Sequence, residues 1–116
     1  MVEKHHKYLV LGGAGAMGRE IVRELLSSPG ARVTVADTRT DFYESHPPAW
    51  VKKFRRRLAW KKVDLLGQPL RLVRLLRGHL AMINATTHHL NLQAMKAALR
   101  ARVHYLDLGG LFHYTR

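Results

Sequence analysis

Cysteine is missing from all 116 residues. That removes disulfide staples, thiolate metal ligands and any thiol nucleophile or redox pair, and it is compatible with a reducing compartment. Serine occurs only at Ser27, Ser28 and Ser45, with no G-x-S-x-G elbow, so covalent hydrolase chemistry has no candidate nucleophile. Aromatics make up only 8% of the chain, which leaves a core to be built from Leu, Val, Ile, Ala and Met. No stretch approaches the roughly 18 consecutive apolar residues of a membrane span. The apolar run Tyr8–Gly18 lies behind Lys4 and Lys7 like the core of a signal peptide, but four glycines interrupt it and Arg19 and Glu20 follow at once. The expectation is a soluble, cytoplasmic protein with no membrane partner. The length suits one domain over residues 1–116 and excludes a second, so a substrate domain would be absent from this chain.

Acidic residues are also scarce, with 8 Asp and Glu against 20 Lys and Arg, a net charge of +12. A polyanionic partner therefore has to be weighed. The densest cluster is Lys52, Lys53, Arg55, Arg56, Arg57, Lys61 and Lys62, and a second row is Arg71, Arg74 and Arg77. The second row repeats every third residue between Leu70, Leu72, Val73, Leu75 and Leu76, as the wet face of a helix does.

What the chain does have is alternation. Lys7–Leu11 is short, apolar and closed by glycine, as a buried strand is. Helical spacing follows, with Met17, Ile21, Leu25 and the neighbouring Val22 and Leu26 on one face, stopped by Ser28-Pro29-Gly30. Arg32–Ala36 reads as a second strand closed by Asp37. After Pro47-Pro48, a short basic helix is expected over Ala49–Arg57, a third strand over Leu58–Val63, and a helix from Pro69 to Arg77 with Gly78 as its left-handed cap. A fourth strand over Leu80–Ala85, a helix over Asn91–Ala101 with helical spacing at Leu92, Met95 and Leu99, and a fifth strand over Val103–Leu108 complete the series. Strands separated by helices imply right-handed crossovers and a parallel sheet. The predicted fold class is α/β, a three-layer Rossmann-type doubly wound sheet of five strands in the order 3-2-1-4-5, stopping before a sixth strand, with any ligand at the carboxyl ends of strands 1 and 4.

Gly13-Ala14-Gly15-Ala16-Met17-Gly18 matches G-x-G-x-x-G, and its position after a strand and before a helix, with the acid Asp37 nineteen residues beyond Gly18, turns a weak pattern into a strong one. In that setting Gly13 would permit the tight turn, Gly15 would let backbone approach a diphosphate, and Gly18 would let the helix pack closely. Free N–H groups at residues 15–18 would face the anion at the positive end of the helix dipole. Asp37 suits the two ribose hydroxyls of an adenosine and would repel a 2′-phosphate, which argues for NAD. NADP stays open because Arg39 lies two residues on and could pair with that phosphate. Thr38 and Thr40 make a turn-starting role for Asp37 an alternative. Asp64 and Leu65 close strand 3 near where adenine would rest, or form a surface turn. Asn84-Ala85-Thr86 closes strand 4, where small and amide side chains would leave room for the cofactor and bond its ribose; the alternative is helix initiation with Thr87 or Asn91 as caps.

Eight histidines invite a metal, but the pairs His5-His6 and His88-His89 have the wrong spacing and no H-x-x-x-H exists, so no metal site is expected. With the glycine loop, Asp37, Ile83-Asn84-Ala85-Thr86 and Val103–Leu111 all in view, the chain resembles the N-terminal NAD(P)-binding part of the saccharopine dehydrogenase family, closest to its lysine 6-dehydrogenase-like members, from Lys7 to Arg116. The resemblance implies that Gly13–Gly18, Asp37, Asp64-Leu65 and Asn84–Thr86 hold the dinucleotide, and that Asp107–Gly110, Gly109 included, approach its nicotinamide end. It also implies hydride transfer to or from a C–N bond of an amino acid, with lysine metabolism as the setting and a second domain for the substrate. The Pro47-Pro48 loop and the very basic second helix depart from the family pattern. No catalytic acid or base is identified. The competing reading is a nucleotide-sensing or nucleic-acid-binding module using the basic surface, and nucleic acid ranks below the dinucleotide as a partner. An uncovered sheet edge would be covered by a homodimer or by the absent domain.

Overall fold

The structure, a computed structural model, describes residues 6–107. The expectations at Leu108, Gly109 and Gly110 lie outside the described residues. Five parallel strands, β1 (His6–Leu11), β2 (Ala31–Asp37), β3 (Leu58–Lys62), β4 (Ala81–Asn84) and β5 (His104–Asp107), lie in the order β3-β2-β1-β4-β5. They alternate with helices α1 (Ala16–Leu26), α2 (Asp41–Glu44), α3 (Ala49–Lys53), α4 (Pro69–Leu76) and α5 (Asn91–Ala101). This is the doubly wound arrangement that the alternation implies.

Register explains the two cores. Leu9, Leu11, Ala36 and Met82 share one face of the sheet and pack on Leu72, Val73 and Leu76 of α4 and Ala94, Ala97 and Ala98 of α5. Val10, Val33, Val35 and Leu58 share the other, against Val22 and Leu26 of α1, Tyr43 of α2 and Val51 of α3. Helices thus cover both faces, so the central strand is apolar on each side, and burying each of Leu9 and Val10 is worth about 1.5–3 kcal/mol.

Several elements differ in detail from their sequence expectation. On α1 the expected Val22 and Leu26 are buried together with Gly18, whereas Ile21 and Leu25 are half-buried and Met17 is 50% exposed, because close contact at Gly18 rolls the helix toward its small residue. On α5 the buried face is Ala94, Ala97 and Ala98, whereas Leu92, Met95 and Leu99 are exposed. Both sets have helical spacing, and the alanines win because they let the helix approach the sheet closely. The basic helix over Ala49–Arg57 ends at Lys53 and is followed by a separate 3₁₀ turn at Arg55–Arg57. The short helix α2 has too few residues to carry a periodic signal and was not expected.

Arg57 explains the break. Its guanidinium donates to the carbonyls of Leu26 (2.9 Å), Ser28 (3.1 Å) and Ala31 (2.8 Å), closing the end of α1 and the entry to β2. Gly78, with φ of +89°, follows the last turn of α4 as the left-handed residue expected there.

Candidate functional site

The glycine loop runs from the carboxyl end of β1 into α1, and its glycines divide the labour differently from the sequence expectation. The tight turn belongs to Gly12, whose φ is +79°, not to Gly13. A Cβ on Gly12 would also meet Thr86 Cγ2 at 2.9 Å, so the turn is pressed against the end of β4. Gly13 is small because Val35 of β2 lies 2.9 Å from where its Cβ would be. At Gly18 a Cβ would stand 2.1 Å from the Gly12 carbonyl oxygen, which is the close helix packing the motif implies.

Gly15 is different. Its φ of −74° suits any residue, and the nearest atom to an added Cβ is 3.5 Å away, an ordinary contact. The fold therefore does not need a glycine there. What its bare Cα preserves is access from outside to the start of α1.

That helix start is open. Gly15 is the N-cap, no side chain caps the helix, and its first turn carries no acid. The Gly15 N–H is spent on the Gly12 carbonyl at 3.2 Å, which trims the expected set of donors, and the Gly15 carbonyl takes the Arg19 N–H. The N–H groups of Ala16, Met17 and Gly18 remain, the donors that an α-helix leaves for an external acceptor. Arg19 adds a cation at this mouth: its Nε donates to the Gly15 carbonyl at 3.3 Å and its guanidinium lies 4.4 Å from the centre of the Phe42 ring. Sequence reasoning passed over Arg19, although its place directly after Gly18 was the available signal.

Asp37 ends β2 beside the loop. One carboxylate oxygen accepts the Ala14 N–H at 3.0 Å and the other the Arg39 N–H at 3.1 Å, so the side chain bridges the loop to its own turn. A carboxylate has about four lone-pair positions, which leaves acceptor capacity for hydroxyl donors. The Arg39 side chain is mostly exposed and its Nε lies 3.7 Å from Asp41.

Asp37 and Thr38 form the rim of a cleft of about 280 Å³ over the carboxyl ends of the strands. Its walls are apolar, from Leu11, Ala36, Val63, Leu65 and Leu90, with Gly12, Asp64 and Thr86 also reaching it. The structure thus brings Asp37, Thr38, Asp64, Leu65 and Thr86 to one opening beside the glycine loop. Within it, Asp64 accepts the Leu66 N–H at 3.1 Å, a turn-forming use of the carboxylate.

Asn84, buried at the end of β4, spends its amide internally. Nδ2 donates to Asn91 Oδ1 (2.9 Å) and Tyr105 Oη (3.0 Å), and Oδ1 accepts the N–H and hydroxyl of Thr86. It fixes the Ala85-Thr86 turn rather than offering donors to the cleft. Asn91 serves Asn84 instead of capping, and the N-cap of α5 is Leu90. Asp107 is the register partner of Asn84 on β5. Among the described residues no cluster of three His, Asp or Glu that could hold a metal occurs, and no helix is long and apolar enough to cross a membrane.

With this geometry in hand, comparison with known proteins is decisive. A family model described as the saccharopine dehydrogenase NADP binding domain matches residues 8–115. The chain belongs to that family. Its ligand class is therefore a nicotinamide dinucleotide. Among solved structures, a saccharopine dehydrogenase (L-Glu forming) from Saccharomyces cerevisiae superposes with a TM-score of 0.69 at 18% identity, over 88% of this chain and 21% of that one. A UDP-glucose-4-epimerase from Stenotrophomonas maltophila, with bound NAD, gives 0.63 at 20%, over 89% and 36%. A dTDP-glucose 4,6-dehydratase from Streptomyces venezuelae, also with NAD, gives 0.59 at 29%, over 83% and 36%. The chain spans about a fifth of the yeast enzyme and just over a third of the other two.

Proposed function

We propose that this chain is the dinucleotide-binding part of a saccharopine dehydrogenase-type amino-acid oxidoreductase, with NAD as its preferred cofactor. The observation that carries the reading is the pairing of an uncapped α1 with a glycine, Gly15, that the fold itself does not require. The N–H groups of Ala16, Met17 and Gly18 would hold the diphosphate, the free lone pairs of Asp37 the adenosine ribose, and the apolar walls of Leu65 and Val63 the adenine. Thr86 and Asp107 would flank the path to the nicotinamide end. Ala14 and Ala16, the small residues of the loop, would leave room for the diphosphate, and exposed Met17 would lie over it.

When bound, the cofactor supplies hydride transfer to or from a C–N bond; the residues here bind and orient it. The substrate would be held by a further domain or a second subunit. NAD is favoured because a 2′-phosphate would meet the Asp37 carboxylate, while Arg39 is drawn toward Asp41. Calorimetry with NADH and NADPH tests this. NADH binding at least several-fold tighter is expected, and tighter NADPH binding would overturn the assignment of Asp37. The nucleic-acid alternative draws on exposed Lys52, Lys53, Arg55 and Arg56, from which Arg57 is withdrawn into the fold. Salt-steep DNA binding without dinucleotide heat would favour it.

A further inference from the structure

We propose that Tyr43 is a positioning residue that holds the diphosphate-binding loop in its receptive orientation; the proposal rests on the dinucleotide reading of that loop. The Tyr43 hydroxyl donates to the Gly13 carbonyl at 2.5 Å, across thirty residues of chain. The N–H at the other end of the same peptide, on Ala14, is held by Asp37. One peptide plane is thus gripped at both ends, by the last residue of β2 and by the helix that follows it.

The grip matters because of what surrounds that peptide. Gly12, Gly13 and Gly15 give this stretch more backbone freedom than any other residues would. Were the Gly13–Ala14 peptide to flip, its carbonyl dipole would turn toward the place where anionic oxygens must sit. Asp37 alone is an insecure restraint, since the same carboxylate is the acceptor for the ribose hydroxyls and its bond to Ala14 is shared when they arrive. Tyr43 has no such second duty.

Its surroundings keep it in that single role. The ring is stacked on Trp60 at 5.6 Å with 19° between planes, and Phe42 (4.9 Å) and Trp50 (6.3 Å) meet it edge-on. Only 1% of the residue is exposed. Burial pushes the hydroxyl well above the usual tyrosine range, Arg19 partly opposes the shift and Asp37 adds to it, so the group stays a protonated donor. The aromatic cluster would satisfy the packing of α2 with phenylalanine at this position; the hydroxyl is the part that reaches the loop.

The test measures ADP-ribose affinity by calorimetry for the full chain, for Tyr43→Phe, and for Leu72→Val, which thins the core on the opposite face of the sheet. Tyr43→Phe keeps the ring and is expected to weaken ADP-ribose about five- to tenfold, the value of one hydrogen bond. Leu72→Val sets the change that lost stability alone produces and is expected to stay within about twofold of the wild-type chain. Wild-type affinity in Tyr43→Phe, or an equal loss in Leu72→Val, overturns the role of Tyr43. If Tyr43→Phe does not fold, the wild-type hydroxyl proton decides by NMR: it should exchange slowly with water and more slowly still with ADP-ribose bound, and exchange unchanged by the ligand overturns the proposal. Failure of the wild-type chain to bind ADP-ribose at all overturns the dinucleotide reading itself.

Discussion

Gly15 and Gly18 stand three residues apart in one motif and answer to different masters. Gly18 belongs to the fold: an alanine Cβ there would press on the backbone of Gly12 and Gly13, which no side-chain rotation can relieve. Gly18→Ala should cost about 3 kcal/mol or more and lower the melting temperature by on the order of 10–20 °C in a thermal scan. Gly15 belongs to the ligand. Gly15→Val should leave the melting temperature nearly unchanged while ADP-ribose binding, followed by calorimetry, falls by on the order of a hundredfold or more as the side chain covers the helix start. Both glycines were legible in the sequence, because the motif prescribes them. The spacing could not reveal that Gly12 makes the turn, that Tyr43 reaches the loop, or that Asn84 is consumed by Thr86, Asn91 and Tyr105. Those are contacts between residues distant along the chain, or between a motif and a residue outside it, and neither has a period.

Among the elements, strands were more legible than helix faces. A strand buried on both sides carries a continuous apolar run, as Leu9–Leu11 does in β1, and that run announces the strand whatever its rotation. A helix must choose a face, and α5 offers two with equal spacing. The choice of Ala94, Ala97 and Ala98 follows from how near the helix sits to the sheet. Leu99→Lys, on the exposed flank, should therefore leave stability of the isolated chain within about 0.5 kcal/mol, whereas Ala98→Leu should destabilise it by about 1–3 kcal/mol, both read by urea denaturation. The link between α4 and β4 carries a pH dependence. His79 places Nδ1 3.2 Å from the Leu76 carbonyl, which can only accept, and Nε2 3.0 Å from the Thr34 hydroxyl. The carbonyl fixes the proton on Nδ1, and in the neutral ring Nε2 accepts from the Thr34 hydroxyl. Burial lowers its pKa, backbone contacts at Leu76 partly oppose this, and nearby Lys7 adds to the lowering. The unfolded chain then binds the proton more readily than the folded one. Stability is fully present above the ordinary histidine value of about 6.5 and declines as pH falls through that value toward the lower folded one. Thermal scans between about pH 7.5 and pH 5 should show this decline, and His79→Gln should flatten it.

At the scale of the whole molecule, charge and function occupy different regions. The net charge of +12 comes largely from exposed side chains around α3, the 3₁₀ turn and α4. The cleft itself is apolar with carboxylates at its rim. Mutual repulsion among so many cations should be relieved by salt, so raising ionic strength from about 0.01 to 0.15 M should increase the melting temperature. Within the cleft, the whole account rests on three amides. A two-dimensional ¹H–¹⁵N NMR titration of the chain with NADH tests them most directly. The Ala16, Met17 and Gly18 resonances should show the largest shifts and saturate together. If they stay in place while dinucleotide is raised to millimolar concentration, the start of α1 does not hold the diphosphate, and the cofactor assignment built on it is wrong.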